Sequence, residues 1–293
     1  MTDTFAPALR AVRLLALAAA VAVAGWGCQP PAPGGGEGPG HRQQVLGLTP
    51  EQEHSLGVQA YQEILSKAQV LPQSSPEVRR VRRVGEKIAK AAAIKPLQRE
   101  INLHLQGYRF DWEFNVLRDK QVNAFCLPGG KVGVFTGLLQ LTGDNDDELA
   151  TVLSHEVAHA LAHHSNERVT RENMRKRAIE ATAGRMGRMG EAERRLLIGL
   201  LAGGTQLQSL AYDRRQEEEA DHIGIFLMTF AGYNPDEALR FWRKMEELSA
   251  RHGRPPAILS THPSDAKRIE KIREWIPLAK AGKKAFDEGR VAR

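Results

Sequence analysis

The five residues His155-Glu156-Val157-Ala158-His159 could carry out chemistry that no other stretch of this chain suggests. On a helix, residues four apart lie on one face, one turn apart, so both imidazoles can bind a single metal ion. The carboxylate of Glu156 can then act as a base on a water molecule at that metal. The motif predicts metal-assisted hydrolysis if a helix, a third protein ligand and a substrate cleft accompany it.

The residues around the motif have the pattern of a helix. Apolar residues recur there at helical spacing: Leu149, Val152, Leu153, Val157, Ala160 and Leu161. This spacing predicts a buried stripe with the two histidines at its edge. The polar run 144–147 precedes the stripe, and it predicts an N-cap with acidic side chains at the positive end of the helix dipole.

The acidic run at 217–221, EEEAD, is the strongest candidate for the third ligand. A catalytic zinc site usually has three protein ligands and one open position. Glu217 and Asp221 would share a helix face, so one can bind metal while the other hydrogen-bonds a ligating imidazole. The residues alone leave open a second interpretation, a solvated acidic patch that balances Arg214 and Arg215.

Helix starts and short strands precede the motif. Thr49-Pro50-Glu51 and Ser75-Pro76-Glu77 each combine an N-cap residue, a proline and an acid, which predicts two helix starts. Alternating residues over 110–116 predict one strand. Two further strand-like runs, Gln121–Leu127 and Lys131–Thr136, are separated by a turn sequence.

The bulk composition is that of an ordinary globular protein. Residues 48–293 show no internal repeat or second linker, so we predict one domain of the α+β class, mostly helical, with a small sheet before the metal helix. The net charge of +6 accompanies no nucleic-acid motif, so we predict no nucleic-acid partner. Cys126 is expected to be a small buried strand residue.

The N-terminus has the parts of an export signal. Arg10 and Arg13 form a basic region, and the uncharged run from Leu14 to Ala24 is too short to span a bilayer comfortably. A cysteine soon after such a run, here Cys28, resembles the acceptor of bacterial lipoproteins. We therefore predict a signal peptide over 1–27 and a lipidated Cys28, with ordinary secretion or an uncleaved anchor as alternatives.

A segment of proline and glycine follows this cysteine. Residues 29–40 read QPPAPGGGEGPG, which predicts a flexible tether over residues 28–47. By resemblance to lipoproteins, Gln29 after the cysteine favours the outer membrane over the inner. The expected location is the cell envelope, with a lipid-anchored domain facing the periplasm.

Several motifs, taken in order, resemble one family. HEVAH, RRQEEEADHIG and STHPSDAKRI are similar to motifs of the HtpX/BepA/LoiP-type zinc metallopeptidases. These are gluzincins related to the CAAX-protein endopeptidases and to the mitochondrial Oma-type protease. Asn123-Ala124-Phe125, Pro128-Gly129-Gly130 and Thr136-Gly137-Leu138-Leu139 match the strand-turn-strand of that family. The resemblance covers about residues 48–275 and implies a zincin-like domain.

The resemblance also implies a role for each residue that matches a family motif. It implies one Zn²⁺ per chain, held by His155, His159 and Glu217, with Glu156 as the general base. Asp221 is implied as the partner that supports a ligating imidazole.

Further site residues follow from the same resemblance. His262 and Arg268 match a family histidine and arginine near the zinc, and both are implied to be catalytic. The role of His262 stays open between a stabiliser of the transition state, which we prefer, and a ligand of a resting state. Tyr212 is a further candidate stabiliser, and His164 matches the family pattern without an assigned role.

The implied function is a zinc-dependent endopeptidase for unfolded or damaged cell-envelope proteins, as in periplasmic quality control. An extended substrate could add as a strand at Lys131–Thr136 or its neighbour. Two alternatives remain: a chaperone-like envelope assembly factor, and a latent metal-binding lipoprotein with little proteolysis. The sequence does not predict the oligomeric state.

Residues 165–205 separate the metal helix from Glu217. They combine basic residues and glycines with three methionines, Met174, Met186 and Met189. We interpret them as a mobile lid over the active site. The alternative is a helical hairpin that completes the core.

Overall fold

A computed structural model describes residues 36–37, 42–185, 213–252, 256–262 and 267–290. The strands in these ranges are β1 (Gly36–Glu37), β2 (Gln43–Gln44), β3 (Glu113–Leu117), β4 (Ala124–Leu127) and β5 (Lys131–Phe135). The helices are α1 (Pro50–Lys67), α2 (Pro76–Ala92), α3 (Lys95–Glu100), α4 (Thr136–Thr142), α5 (Asp146–Leu161), α6 (His164–Arg185), α7 (Arg214–Phe230), α8 (Asp236–His252), α9 (Ala257–Thr261) and α10 (Arg268–Asp287). The predicted α+β class is confirmed.

The predicted helix starts are present and are stabilised by side-chain caps. The Thr49 hydroxyl accepts a hydrogen bond from Gln52 N at the start of α1, and the Ser75 hydroxyl accepts from Val78 N at the start of α2. The Asn145 side chain caps α5 by accepting from two backbone N–H groups. Each cap satisfies donors that the first helical turn leaves unpaired.

The sheet has three strands in the order β3-β5-β4. Strand β5 runs parallel to β3 and antiparallel to β4. Because β5 is paired on both sides, the prediction that a substrate could add at Lys131–Thr136 is wrong for that strand, and the alternative at its neighbour β4 remains. Strand β3 begins at Glu113, where its pairing with β5 starts, rather than at residue 110. Phe110 and Trp112 precede it and stack their rings, with centroids 5.4 Å apart.

The folded domain begins earlier than residue 48. Leu46 is buried, and the buried Gln44 side chain donates a hydrogen bond to Ala162 O at 2.8 Å. The Gly47 N–H also donates to the Thr170 hydroxyl at 2.8 Å. Residues 42–47 are therefore part of the domain and not of the predicted tether. The predicted signal peptide, Cys28 and most of the tether lie outside the described residues.

The predicted metal helix α5 is enclosed on all sides. Every residue from Glu148 to Leu161 is buried, so the helix has no solvent-facing side opposite the expected apolar stripe. Helices α2, α7 and α8 and strand β4 surround it. Within the described residues, no helix combines the length and apolar character needed to cross a bilayer.

Helix α1 approaches the β4–β5 turn so closely that one position has no space for a side chain. A Cβ atom on Gly57 would lie 2.0 Å from the Pro128 carbonyl oxygen. We expect Gly57→Ala to lower the free energy of unfolding by about 1–3 kcal/mol, measured by urea denaturation. Gly282→Ala is the control, because its nearest new neighbour is a Phe230 ring atom at 3.8 Å. This control should be neutral or stabilising, and equal stability of both variants would contradict the prediction.

Candidate metal centre

Three helices and the segment after α9 bring the predicted site residues into one cluster. Helix α5 carries the HExxH motif, α7 carries the acidic run, and α10 begins next to the cluster. All seven predicted residues are at most 6% exposed: His155, Glu156, His159, Glu217, Asp221, His262 and Arg268. The structure therefore places residues more than 100 positions apart within one buried site.

The start of α7 and its contact with α5 fix the position of Glu217. Asp213 caps α7 in a capping box with Gln216, so Glu217 lies in the first helical turn. Two turns later, a Cβ on Gly224 would lie 3.2 Å from the backbone nitrogen of His155. The two helices thus approach backbone to backbone on the face that carries the ligand candidates.

Asp221 determines which nitrogen His155 presents to the cluster. Its carboxylate oxygen lies 3.0 Å from His155 Nδ1, and a carboxylate only accepts, so Nδ1 carries the proton. The lone pair is then on Nε2, which faces the other ligand candidates. Arg268 in turn donates to the same Asp221 oxygen at 2.6 Å, while its guanidinium carbon lies 3.3 Å from the Trp242 ring centroid.

Four side chains form a cage of suitable size and chemistry for a cation. One ligand atom from each of His155, His159, Glu217 and His262 lies within 4.8 Å of the other three. The two Nε2 atoms of His155 and His159 are 3.1 Å apart, and His262 Nδ1 is 3.0 Å from a Glu217 oxygen. The other Glu217 oxygen has no hydrogen-bond partner among the described residues. Three imidazoles and a carboxylate fit the ligand preference of Zn²⁺.

The electrostatics of the cage also favour a positive charge. Burial acts to lower the pKa of His155, but the neighbouring carboxylates of Asp221 and Glu217 outweigh it and raise that pKa to about 9. Burial acts to raise the pKa of Glu217, yet the neighbouring histidines hold it well below its usual range. The Glu217 carboxylate therefore stays ionised although it is buried, and it gives the cage a negative group that a cation can contact.

Glu156 lies next to the cage but has a different environment. Burial raises the pKa of its carboxyl, against the opposing effect of His262 and His155. Its Oε1 lies 3.4 Å from His262 Nε2 and has no hydrogen-bond partner among the described residues. A carboxylate whose pKa is raised toward neutrality is suited to accept and return a proton.

A small cavity lies next to the cage, on the side of Asp221. The cavity, lined by Glu217, Asp221, Arg268 and Trp275 among others, has a volume of about 20 Å³, roughly the space for one water molecule. Residues 186–212, which hold Tyr212 and about half of the predicted lid, lie outside the described residues, while residues 165–185 belong to helix α6. The lid therefore stays a prediction.

Glu219 and His164 have contacts that sequence reasoning missed. Glu218 is half-buried and pairs with Lys271. Glu219 is instead buried and lies 3.0 Å from His164 Nε2. The local signal in the sequence was His164, the second histidine after the HExxH motif. Cys126 is buried on β4, as predicted, and burial raises the pKa of its thiol.

Comparison with known proteins gives consistent matches. The model of the family described as Peptidase family M48 matches residues 77–276. The chain is 34% identical over 250 residues to the mitochondrial metalloendopeptidase OMA1 of Schizosaccharomyces pombe, covering 84% of this chain and 68% of that protein. It is 32% identical over 254 residues to OMA1 of Saccharomyces cerevisiae, covering 81% and 68%. It is 28% identical over 176 residues to the beta-barrel assembly-enhancing protease of Escherichia coli, covering 58% and 35%.

Proposed function

Since this chain belongs to peptidase family M48 and is a zinc metalloendopeptidase, we propose that it hydrolyses peptide bonds in unfolded or damaged proteins of the cell envelope. The observation that carries the proposal is the buried cage of His155, His159 and Glu217 with Glu156 beside it. The export-type N-terminus supports an envelope location. So does the similarity to a bacterial protease named for β-barrel assembly.

Each side chain of the site has a separate role in the proposed reaction. His155, His159 and Glu217 would hold Zn²⁺, which when bound polarises the scissile carbonyl and activates water. Glu156 takes the proton of the attacking water and returns it to the leaving amine. Asp221 keeps His155 in the ligating tautomer. Arg268 donates to Asp221 at 2.6 Å and lies 3.6 Å from a Glu217 oxygen. We therefore assign it the positioning of these carboxylates, in place of the catalytic role that the resemblance implied.

Substrate selection would occur at strand β4. This strand pairs with β5 on one side and packs against α5, and no strand among the described residues pairs with its other edge. An extended peptide can form main-chain hydrogen bonds with such an edge whatever its side chains. We therefore propose unfolded segments or loops as substrates, with modest sequence preference. A Gly/Pro-rich tether from a lipidated Cys28 would hold the domain at the periplasmic face of the outer membrane.

The geometry supports a latent resting form. His262 Nδ1 lies 3.2 Å from His155 Nε2 and 3.0 Å from a Glu217 oxygen, where a fourth ligand would be. This placement supports the resting-state role for His262 over the transition-state role that we preferred from sequence. A catalytic zinc site needs one open position, so His262 must move before substrate binds. The latent metal-binding lipoprotein is therefore the second candidate function.

We expect His262→Ala to increase cleavage of unfolded casein several-fold while one Zn²⁺ per chain stays bound. Removal of the fourth side chain leaves a position at the metal for water and substrate. Zinc content and the rate of casein cleavage by the full chain provide the measurement. His222→Ala is the matched control, because His222 packs against Phe226 and Trp275 and contributes no ligand atom to the cage.

Two results would decide against parts of this proposal. If His262→Ala cleaves casein about 100-fold more slowly or worse while zinc is retained, His262 is instead a stabiliser of the transition state. If the wild-type chain binds no zinc, or if neither protein cleaves casein, the endopeptidase proposal itself fails.

A further inference from the structure

A run of four side chains connects the N-terminal segment to the second histidine of the motif. Arg42 lies in this segment, eight residues before helix α1 begins. It donates to Glu219 at 2.7 Å, Glu219 lies 3.0 Å from His164 Nε2, and His164 Nδ1 lies 2.8 Å from His159 Nδ1. This run is distinct from the Asp221 contact that supports His155.

The direction of each hydrogen bond follows from the chemistry of the groups. Glu219 is a carboxylate and accepts, so His164 Nε2 donates to it. The two Nδ1 atoms of His164 and His159 share a single proton across 2.8 Å. If His159 binds metal through Nε2, that proton belongs to its own Nδ1, and His164 accepts it. Glu219 thus sets the tautomer of His164, which sets the tautomer of His159.

Arg42 holds the carboxylate at the far end of this run. Its Nη1 and Nη2 donate to the two oxygens of Glu167 at 2.6 and 2.8 Å. Its Nε and Nη2 donate to one oxygen of Glu219 at 3.0 and 2.7 Å. The Arg42 side chain is 14% exposed, and both carboxylates are buried. A planar guanidinium can bridge two acids in this way, whereas a lysine ammonium cannot form the same fork.

These contacts join three parts of the chain. Glu167 lies in the first turn of α6, and Glu219 lies on α7, so Arg42 connects the N-terminal segment to both helices. The Gln216 side chain also donates to Glu167 at 2.9 Å. A displacement of the N-terminal segment would therefore remove the cation that holds Glu219 against His164.

We propose that Arg42 is a positioning residue of the metal site, acting through Glu219 and His164 to fix the orientation and tautomer of His159. The proposal rests on the proposed function, because it takes His159 to be a ligand. Its consequence is that the segment joining the domain to the tether controls metal affinity. Loss of a hydrogen-bond partner behind a metal ligand typically weakens metal binding about 10–100-fold.

The test measures the zinc dissociation constant of the full chain by competition with a chromogenic chelator. We expect Arg42→Ala to raise this constant about 10–100-fold, and casein cleavage to recover when zinc is saturating. Glu219→Gln should weaken zinc binding comparably, because it interrupts the same run while leaving the Arg42–Glu167 contact. The double variant should bind zinc about as weakly as the weaker single variant.

Arg171→Ala is the matched control. Arg171 contacts Glu167 at 3.3 Å and Asp213 at 2.7 Å, so its removal takes one positive charge from the same group of acids. It should leave the zinc dissociation constant unchanged. Arg42→Lys, which keeps the charge and loses the fork, provides a milder variant if Arg42→Ala does not fold.

Each outcome distinguishes this inference from the proposed function. Wild-type protein without zinc would overturn both. If the wild type binds zinc and the Arg42 and Glu219 variants bind it as tightly as Arg171→Ala, the inference alone is overturned. Lower thermal stability of the apo form with an unchanged zinc constant would give Arg42 a purely structural role and would also overturn it.

Discussion

Glu156→Gln should lower kcat/KM for unfolded casein by at least about 100-fold, with one Zn²⁺ per chain retained. Glutamine has nearly the same size and fits the same buried position, but it cannot accept the proton of the attacking water. Glu156 is not among the four side chains that form the cage, so metal binding should be unaffected. The measurements are fluorescent peptide release and zinc content.

The control for Glu156→Gln is Glu218→Gln. Glu218 is 44% exposed and belongs to the acidic run of α7, next to Glu217. The comparison is best repeated in the His262→Ala background, where we expect faster turnover. Equal cleavage with and without the Glu156 carboxylate, in either background, would refute its role as the general base.

Glu217→Gln should have the largest effect on metal binding. We expect the zinc dissociation constant to increase by more than about 100-fold, since even partners behind a ligand contribute about 10–100-fold. In the wild type, zinc at 100 times its dissociation constant stabilises the fold by about 2.7 kcal/mol. A chelator should therefore lower the melting temperature of the wild type and leave that of Glu217→Gln unchanged.

Glu218→Gln again provides the comparison, since it removes a charge from the adjacent position. This variant should bind zinc like the wild type and show the same loss of melting temperature with chelator. A Glu217→Gln protein that still binds zinc tightly would remove Glu217 from the ligand set. Asp221, on the same helix face, would then be the first residue to examine.

Local features of the fold could be read from sequence because they depend on nearby residues. The caps at Thr49 and Ser75 need only a side-chain oxygen and an N–H three residues on, and both are present. The order of the strands could not be read in the same way. Placing β5 between β3 and β4 depends on packing against α2 and α5, which residue alternation does not encode.

In the candidate site, too, the sequence predicts contacts within one helix but not contacts between distant segments. The HExxH spacing brings His155 and His159 together within one helix, whereas pairing them with Glu217 from sequence relied on family resemblance. The buried role of Glu219 was missed because an acid beside Glu218 reads as part of a solvated patch. Its partner Arg42 is 177 positions away, in a segment that composition assigned to a tether.

Because Gly224 has no side chain, helices α5 and α7 can lie close enough together to form the cage. Because α5 and α7 touch there backbone to backbone, a methyl group 3.2 Å from His155 N would separate them by a few tenths of an ångström. Metal–ligand distances tolerate only about 0.2 Å of change. A residue that supplies no ligand atom thus sets the spacing of the two helices that carry His155 and Glu217, and with it the distance between their ligand atoms.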